Sequence, residues 1–286
     1  MTNNTQYIES ILKDGVLTLI LKDPKTKNAV GAEMASQLIN SLSAFSKDDR
    51  IKVLLITGAN DSFCSGANVR SMKQNSDMDT RTAKLDSDPW KELDKSIKKD
   101  LKEPESDEIE IIRNITKQIY NLRKPTVAAV NGPAIGFGMG LALSCDIRLA
   151  STNAIFREAC VNVGLIPADG SCWYLPRMIG LGNSLLYQYT GEAINAQEAH
   201  RLGLVSKVIE PDDLVEASTK LCKQIATGPS YSLSIIKRLI QLSSGMNFEE
   251  SMEIAGIAQS IVRKTQDHKE GVSAFLQKRK PSFKGD

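Results

Sequence analysis

Two short stretches gather the residue types that can do chemistry in this chain. Phe63-Cys64-Ser65-Gly66-Ala67-Asn68 is a loop of small residues, and Asn131 to Gly140 carries Gly136, Gly138 and Gly140 straight into the apolar run Leu141 to Ser144. Small residues let backbone come close to a ligand. The first turn of a helix adds N–H groups without partners and roughly half a positive charge. A carbonyl oxygen gathering negative charge, such as a thioester's, would be polarised there. The same glycines would serve equally for a tight turn and close helix packing. Two acids follow. Glu158 precedes Cys160 by two positions, so an extended chain points both side chains the same way. Glu158 also suits an ion pair, with a neighbour of Arg157 or with another subunit. Asp169, before Gly170 and a helix, suits proton transfer or a turn and cap.

The elements that would position these loops read as an α/β core. Tyr7 to Leu12 and Val16 to Lys22 are β-prone runs around the turn dipeptide Asp14-Gly15. After Pro24, the helical spacing of Met34, Leu38, Leu42 and Phe45 predicts a helix, and Val53 to Thr57 a strand ending at Gly58. Thr126 to Val130 and Ile147 to Ser151 are further short, buried strands. Beyond residue 180 the pattern turns helical. Asn195 with Glu198 reads as an N-cap, Gly203 as a stop, and residues 212–226, 231–243, 248–265 and 268–278 as helices, with a linker at Gly228-Pro229. Residues 74–108 interrupt this rhythm with a polar insertion in which Leu93, Ile97 and Leu101 keep a helical stripe; it reads as a solvated insertion or as a lid over a pocket. The expected division is a core over 1–200 and a helical oligomerisation region over 201–286.

Composition narrows the classes of partner. The 286 residues carry 36 Lys plus Arg against 34 Asp plus Glu, a net charge of +2 that argues against nucleic acid. Five scattered cysteines without a CxxC, and two distant histidines, suggest neither a disulfide framework nor a zinc site. No run approaches the roughly 20 apolar residues of a membrane span, and no leader is legible, so a reducing, cytoplasmic setting is expected. His200 and His268 read as surface or capping residues, Cys160 and Cys172 as small buried hydrophobes, and Trp173 as lining a pocket or packing the core.

Several ordered motifs together resemble the crotonase (enoyl-CoA hydratase/isomerase) superfamily. They are Lys27-Asn28-Ala29, Phe63 to Asn68, Lys124-Pro125-Thr126-Val127-Ala128-Ala129-Val130-Asn131-Gly132-Pro133-Ala134-Ile135-Gly136, Cys145 to Ala150, Gly164-Leu165-Ile166-Pro167 with Leu175-Pro176-Arg177, and Glu270 to Pro281. The resemblance implies a ββα spiral of two sheets with C-terminal helices that build a homotrimer, often paired into a hexamer. It implies acyl-CoA thioester substrates with no separate cofactor, coenzyme A arriving as part of the substrate. Ala67 and Phe137 match the positions whose N–H groups hold the thioester oxygen. Such a pair stabilises enolate-like charge, and losing one such donor costs roughly 3 to 4 kcal/mol in the transition state. Lys27, Ala29, Ser65, Asn68 and Val69 match loops that clasp coenzyme A, with Gly66 and Gly136 in the same loops. Phe275 and Lys278 match a helix that reaches the nucleotide of a neighbouring subunit. Asp146 falls in a motif shared across the superfamily, where a structural role is expected.

The departures bear on the chemistry. The two glutamates that deliver water in the hydratases align with Gly140 and Cys160. Gly140 has no side chain, and a thiol does not replace a carboxylate without a strongly lowered pKa. The expected catalytic set is therefore Ala67 and Phe137 as donors with Asp169, and Glu158 beside it, as acid or base, while Cys160 faces substrate. Dienoyl-CoA isomerases carry their aspartate one position earlier, matching Ala168. The activities consistent with this set are hydration or double-bond isomerisation of an enoyl-CoA, a thioester hydrolase or decarboxylase on the same donors, and a non-catalytic acyl-CoA binder.

Overall fold

Asp14 (φ 52°) and Gly15 (φ 75°) both take the left-handed backbone that a two-residue hairpin needs, and they join β1 (Ile8–Lys13) to β2 (Val16–Leu21) in antiparallel register. The computed structural model that reveals this describes residues 5–67, 87–98 and 107–286. From β2 onward every pairing in the main sheet is parallel: β3 (Val53–Gly58), β4 (Thr126–Val130), β6 (Ile147–Ser151) and β9 (Lys207–Ile209) complete the order β1-β2-β3-β4-β6-β9. Parallel strands need crossovers that cover the faces, so both faces are buried and the strands read as continuous apolar runs.

One face carries Leu19, Leu21, Leu54, Ile56 and Ala128 into the principal core. Helix α1 (Ala32–Lys47) closes it with Met34, Leu38, Leu42 and Phe45, none more than 2% exposed. The other face carries Val16, Val53, Leu55, Val127 and Leu149 beneath Leu214 and Cys222 of the C-terminal region. The expected strands and α1 are thus all found. Short pieces absent from the sequence reading are β5 (Pro133–Ile135), β7 (Ile155–Arg157) and β8 (Ile194–Asn195), which make a second sheet in the order β5-β7-β8.

Helix α2 (Pro89–Lys98) lies in the expected insertion. Its Leu93 and Ile97 are exposed, while Leu101 and most of 74–108 fall outside the described residues. Helix α3 (Asp107–Asn121), not anticipated from sequence, buries Ile115 and Ile119 in the principal core. Helices α4 (Phe137–Ser144), α5 (Ser171–Ile179), α6 (Leu181–Thr190) and α7 (Ala196–Arg201) follow, the last capped by Asn195 accepting from the Glu198 N–H. The chain ends in α8 (Leu214–Ala226), α9 (Ser230–Ser243), α10 (Phe248–Val262) and α11 (Gln266–Leu276). Asp146 ties this region to the core: its Oδ2 accepts from the Thr126 N–H at 2.8 Å and from Lys237 Nζ on α9 at 2.9 Å. No helix among the described residues is long and apolar enough to cross a membrane.

Candidate active site

Backbone hydrogen bonds zip the two small-residue loops together. Cys64 N–H donates to the Pro133 carbonyl at 3.0 Å, and Ile135 N–H returns the bond to the Cys64 carbonyl at 3.0 Å. Asn131 braces the same junction, its Oδ1 accepting from Gly58 N–H at 3.1 Å and its Nδ2 donating to the Asn60 carbonyl at 2.8 Å. Buried Asn28 does this for the preceding loop, with Nδ2 donating to the Ala59 and Ser62 carbonyls and Oδ1 accepting from Asp23 N–H. Sequence reading missed Asn28 and Asn131 as scaffolding residues, although both stand in the quoted motifs.

The zipped loops bring Ala67 beside the start of α4. Gly66 sits at φ 107°, and a Cβ there would lie 2.9 Å from the Ile135 carbonyl oxygen and 3.9 Å from Phe137 N, so only glycine lets the backbones approach this closely. The first i to i−4 bond of α4 runs from Gly140 N–H to the Gly136 carbonyl. Phe137 N–H therefore heads the helix without an intrahelical partner, and neither it nor Ala67 N–H donates to another backbone group among the described residues. The Phe137 ring is 4% exposed and belongs to the principal core, leaving its N–H as its polar contribution.

Below this mouth the two acids meet. Asp169 and Glu158 are 3% and 2% exposed. Asp169 Oδ1 accepts from the Ser171 N–H at 2.9 Å, and Glu158 Oε1 accepts from the Ser171 hydroxyl at a long 3.4 Å. Asp169 Oδ2 fills the space that a side chain at position 140 would take: a Cβ on Gly140 would sit 2.6 Å from Asp169 Cβ and nearer still to Cγ and Oδ2. The missing side chain on α4 is the room this carboxyl needs. Asp169 thus braces the start of α5 with one oxygen, as its turn or cap reading expected, and packs the other against α4.

Burial governs the electrostatics. Loss of hydration pushes Glu158 up to about 8, helped by the neighbouring Asp169 charge, and burial likewise raises Asp169 against the opposing hydrogen bonds from Ser171. Two close carboxyls in one dry site do not both ionise readily, so near neutral pH they hold a proton between them. Within the described residues Glu158 has no ion-pair partner: Arg157 Nε donates to the Gly191 carbonyl at 2.6 Å, and Glu158 Oε2 finds no hydrogen-bond partner among them. The Cys160 thiol faces Glu158 and is pushed up to about 12, by burial first and by both carboxylates after it, so it is not an activated thiolate.

The other expectations fare unevenly. Cys160 is only half-buried and Cys172 is exposed, which corrects their reading as buried hydrophobes; Cys172 heads α5 on its outward side. Trp173, 38% exposed, packs edge-on against Tyr120 and Tyr174 under the Arg177 guanidinium at 4.2 Å. Lys27 is exposed, and its carbonyl accepts from Ser65 N–H at 3.1 Å, which joins the Lys27, Ala29 and Ser65 segments into one rim. Gly136 donates its N–H to the Arg157 carbonyl at 2.8 Å, linking the glycine loop to the strand before Glu158. Asn68 and Val69 lie outside the described residues. Phe275, 82% exposed, lines a separate cleft with Pro229, Val262 and Phe283, and Lys278 is exposed just beyond α11. His200 Nδ1 meets the Val205 carbonyl, and His268 N–H is capped by Thr265. A cleft of about 560 Å³ between β1–β3 and α8, lined by Ile20, Leu55 and Leu214, shares no residue with the carboxyl cluster.

Comparison with known proteins agrees with this architecture. The chain matches the enoyl-CoA hydratase/isomerase family over residues 12–99 and 95–286. It is 31% identical over 280 residues to the 1,2-epoxyphenylacetyl-CoA isomerase of Escherichia coli, covering 98% of this chain and 99% of that one. It is 33% identical over 277 residues to the 2,3-dehydroadipyl-CoA hydratase of the same organism, covering 94% and 95%. Among solved structures, an enoyl-CoA hydratase from Bacillus anthracis superposes with a TM-score of 0.84 at 27% identity, covering 98% of this chain and 100% of that one. On sequence over its full length and on fold, the chain is an acyl-CoA enzyme that belongs to the enoyl-CoA hydratase/isomerase (crotonase) family.

Proposed function

We propose that this enzyme moves a proton next to an acyl-CoA thioester through an enolate-like intermediate, with double-bond isomerisation of an enoyl-CoA as its reaction. Ala67 and Phe137 N–H groups receive the thioester oxygen, and the charge that develops there is what aligned backbone donors at a helix start stabilise best. Asp169 takes the proton from one carbon and returns it to another; Glu158, holding a proton near neutral pH, stands behind it. The observation that carries this reading is the Asp169 carboxyl lying in the space left by Gly140, one helical turn from Phe137 N–H. Isomerisation is favoured over hydration because the carboxyl that meets Gly140 on α4 is Asp169, with no second carboxyl among the atoms nearest that position. Lys27, Ala29, Ser65 and Gly66 form the coenzyme A rim, and the same role is proposed for Asn68 and Val69, which lie outside the described residues. Phe275 and Lys278 serve the nucleotide of a neighbouring subunit in a homotrimer or hexamer.

The test is incubation of the purified protein with crotonyl-CoA, a longer 2-enoyl-CoA and a 3-enoyl-CoA, read by mass and by absorbance of the conjugated thioester. A change of absorbance at constant mass is expected. Gain of one water would make the enzyme a hydratase, and release of free coenzyme A a hydrolase. Asp169→Asn should lower turnover about 10²-fold with little change in coenzyme A affinity. Unchanged turnover in that variant removes Asp169 from the mechanism.

A further inference from the structure

Ser171 is fully buried, and both of its polar groups are directed at the carboxyl pair. Its N–H donates to Asp169 Oδ1 at 2.9 Å and its hydroxyl spans 3.4 Å to Glu158 Oε1. A backbone N–H serves whatever the side chain is, but the hydroxyl is a choice of residue. A hydroxyl both donates and accepts, so it can give its proton to an ionised Glu158 or take one from a neutral Glu158 while turning its own toward Asp169. The other described groups that face the pair do not do both. Gly140 on α4 contributes no side chain; the Cys160 thiol gives its hydrogen to Glu158 but, pushed up to about 12, does not pass a proton on; among the described residues no lysine, arginine or histidine contributes to the electrostatics of either carboxyl.

We propose that Ser171 is the positioning residue of the pair, its hydroxyl deciding which of Glu158 and Asp169 carries the shared proton. In the balanced exchange the Glu158 carboxylic acid gives its proton to Ser171 Oγ as the Ser171 hydroxyl proton passes to the Asp169 carboxylate; Glu158 ends ionised, Asp169 neutral and Ser171 unchanged. Run in the other direction, the exchange returns Asp169 to the ionised state in which it can accept a proton from substrate. This rests on the proton-transfer role proposed above, but the arrangement exists in the free enzyme and is measured without substrate. The 3.4 Å span is loose for a hydroxyl, as catalytic contacts often are before substrate closes the site.

The experiment is a ¹³C NMR titration of side-chain carboxyls in the free, full-length protein, comparing wild type with Ser171→Ala. Alanine keeps the N–H bond to Asp169, fits the space and removes only the hydroxyl. Glu158→Gln and Asp169→Asn assign the two signals. The Glu158 step should rise by about one pH unit in Ser171→Ala, because its ionised form loses a hydrogen-bond donor, and the gap between the two macroscopic steps should widen. Superimposable titrations would overturn the proposal whatever the activity. The same two proteins are then assayed for enoyl-CoA turnover across pH. A shifted titration with an unchanged pH–rate profile leaves the hydroxyl's hold on the proton standing and overturns the catalytic use of the pair, so the two failures are told apart.

Discussion

Gly140→Ala tests the central geometric claim with one methyl group. An alanine Cβ at that position would lie 2.6 Å from Asp169 Cβ and nearer to Cγ and Oδ2, whereas ordinary carbon contacts begin near 3.5 Å. The carboxyl must therefore retreat by about 1 Å. It has no slack: Asp169 is 3% exposed, and its other oxygen is held by Ser171 N–H. Two effects of opposite sign compete in stability. Alanine in a helix interior is better than glycine by about 1 kcal/mol, while overpacking a filled core costs about 1 to 3 kcal/mol. The neighbour here is a bonded, buried carboxyl rather than the end of a flexible chain, so overpacking wins and the variant should be less stable by about 1 kcal/mol. For activity, a displacement of about 1 Å of a reacting group costs on the order of 10²-fold. The assays are urea unfolding and kcat/KM with the enoyl-CoA that the wild type converts. Gly140→Ala/Asp169→Gly completes the cycle: with the carboxyl gone, the methyl group fits, the helix gain is recovered and stability returns while activity does not. A single Gly140→Ala variant as stable and as active as wild type would refute the packing of Asp169 against α4.

The remaining expectations concern other parts of the site. Glu158 keeps its proton in the folded protein up to about 8, whereas the unfolded chain loses it near the ordinary glutamate value, so the folded state binds more protons between the two and wild-type stability should fall as pH rises through that window. Glu158→Gln should flatten this loss in urea titrations at pH 5 to 8.5; a wild type whose stability rises across that window contradicts the lifted value. Asn28→Ala strands the Ala59 and Ser62 carbonyls and Asp23 N–H, and should cost about 2 to 3 kcal/mol of stability and weaken coenzyme A ester binding through the Lys27–Ser65 rim, measured by calorimetry. Light scattering at micromolar concentration should report a trimer or hexamer, in keeping with the exposed Ile240, Phe248, Ile257 and Phe275 of the C-terminal helices; a monomer would contradict it.

Local order was legible wherever neighbours in sequence are also neighbours in space. The hairpin at Asp14-Gly15, the i, i+4 stripe of Met34, Leu38 and Leu42, the apolar runs of β3, β4 and β6, and the C-terminal helices each carry their own signal of periodicity, capping or turn type. The two small-residue loops were legible too, because a glycine that lets backbones meet leaves a compositional trace. Strands β5, β7 and β8 were not, since pieces of two or three residues have no periodicity of their own and exist only through partners elsewhere. Helix α3 was overlooked behind a polar insertion, although Ile115 and Ile119 stand at helical spacing.

The acid site divides the same way. Sequence alone identified Glu158 and Asp169 as candidates, and the family resemblance led to the expectation that Gly140 and Cys160 take the places of the hydratase glutamates, which reads along the chain as lost chemistry. Only the tertiary structure shows that the absent side chain at 140 and the carboxyl at 169 occupy one volume. It also leaves Glu158 Oε2 without a partner among the described residues and buries both acids around Ser171, and that burial sets their protonation. Hydration and through-space charge depend on distances between segments 11 to 29 residues apart, and no local pattern of residue types encodes those distances.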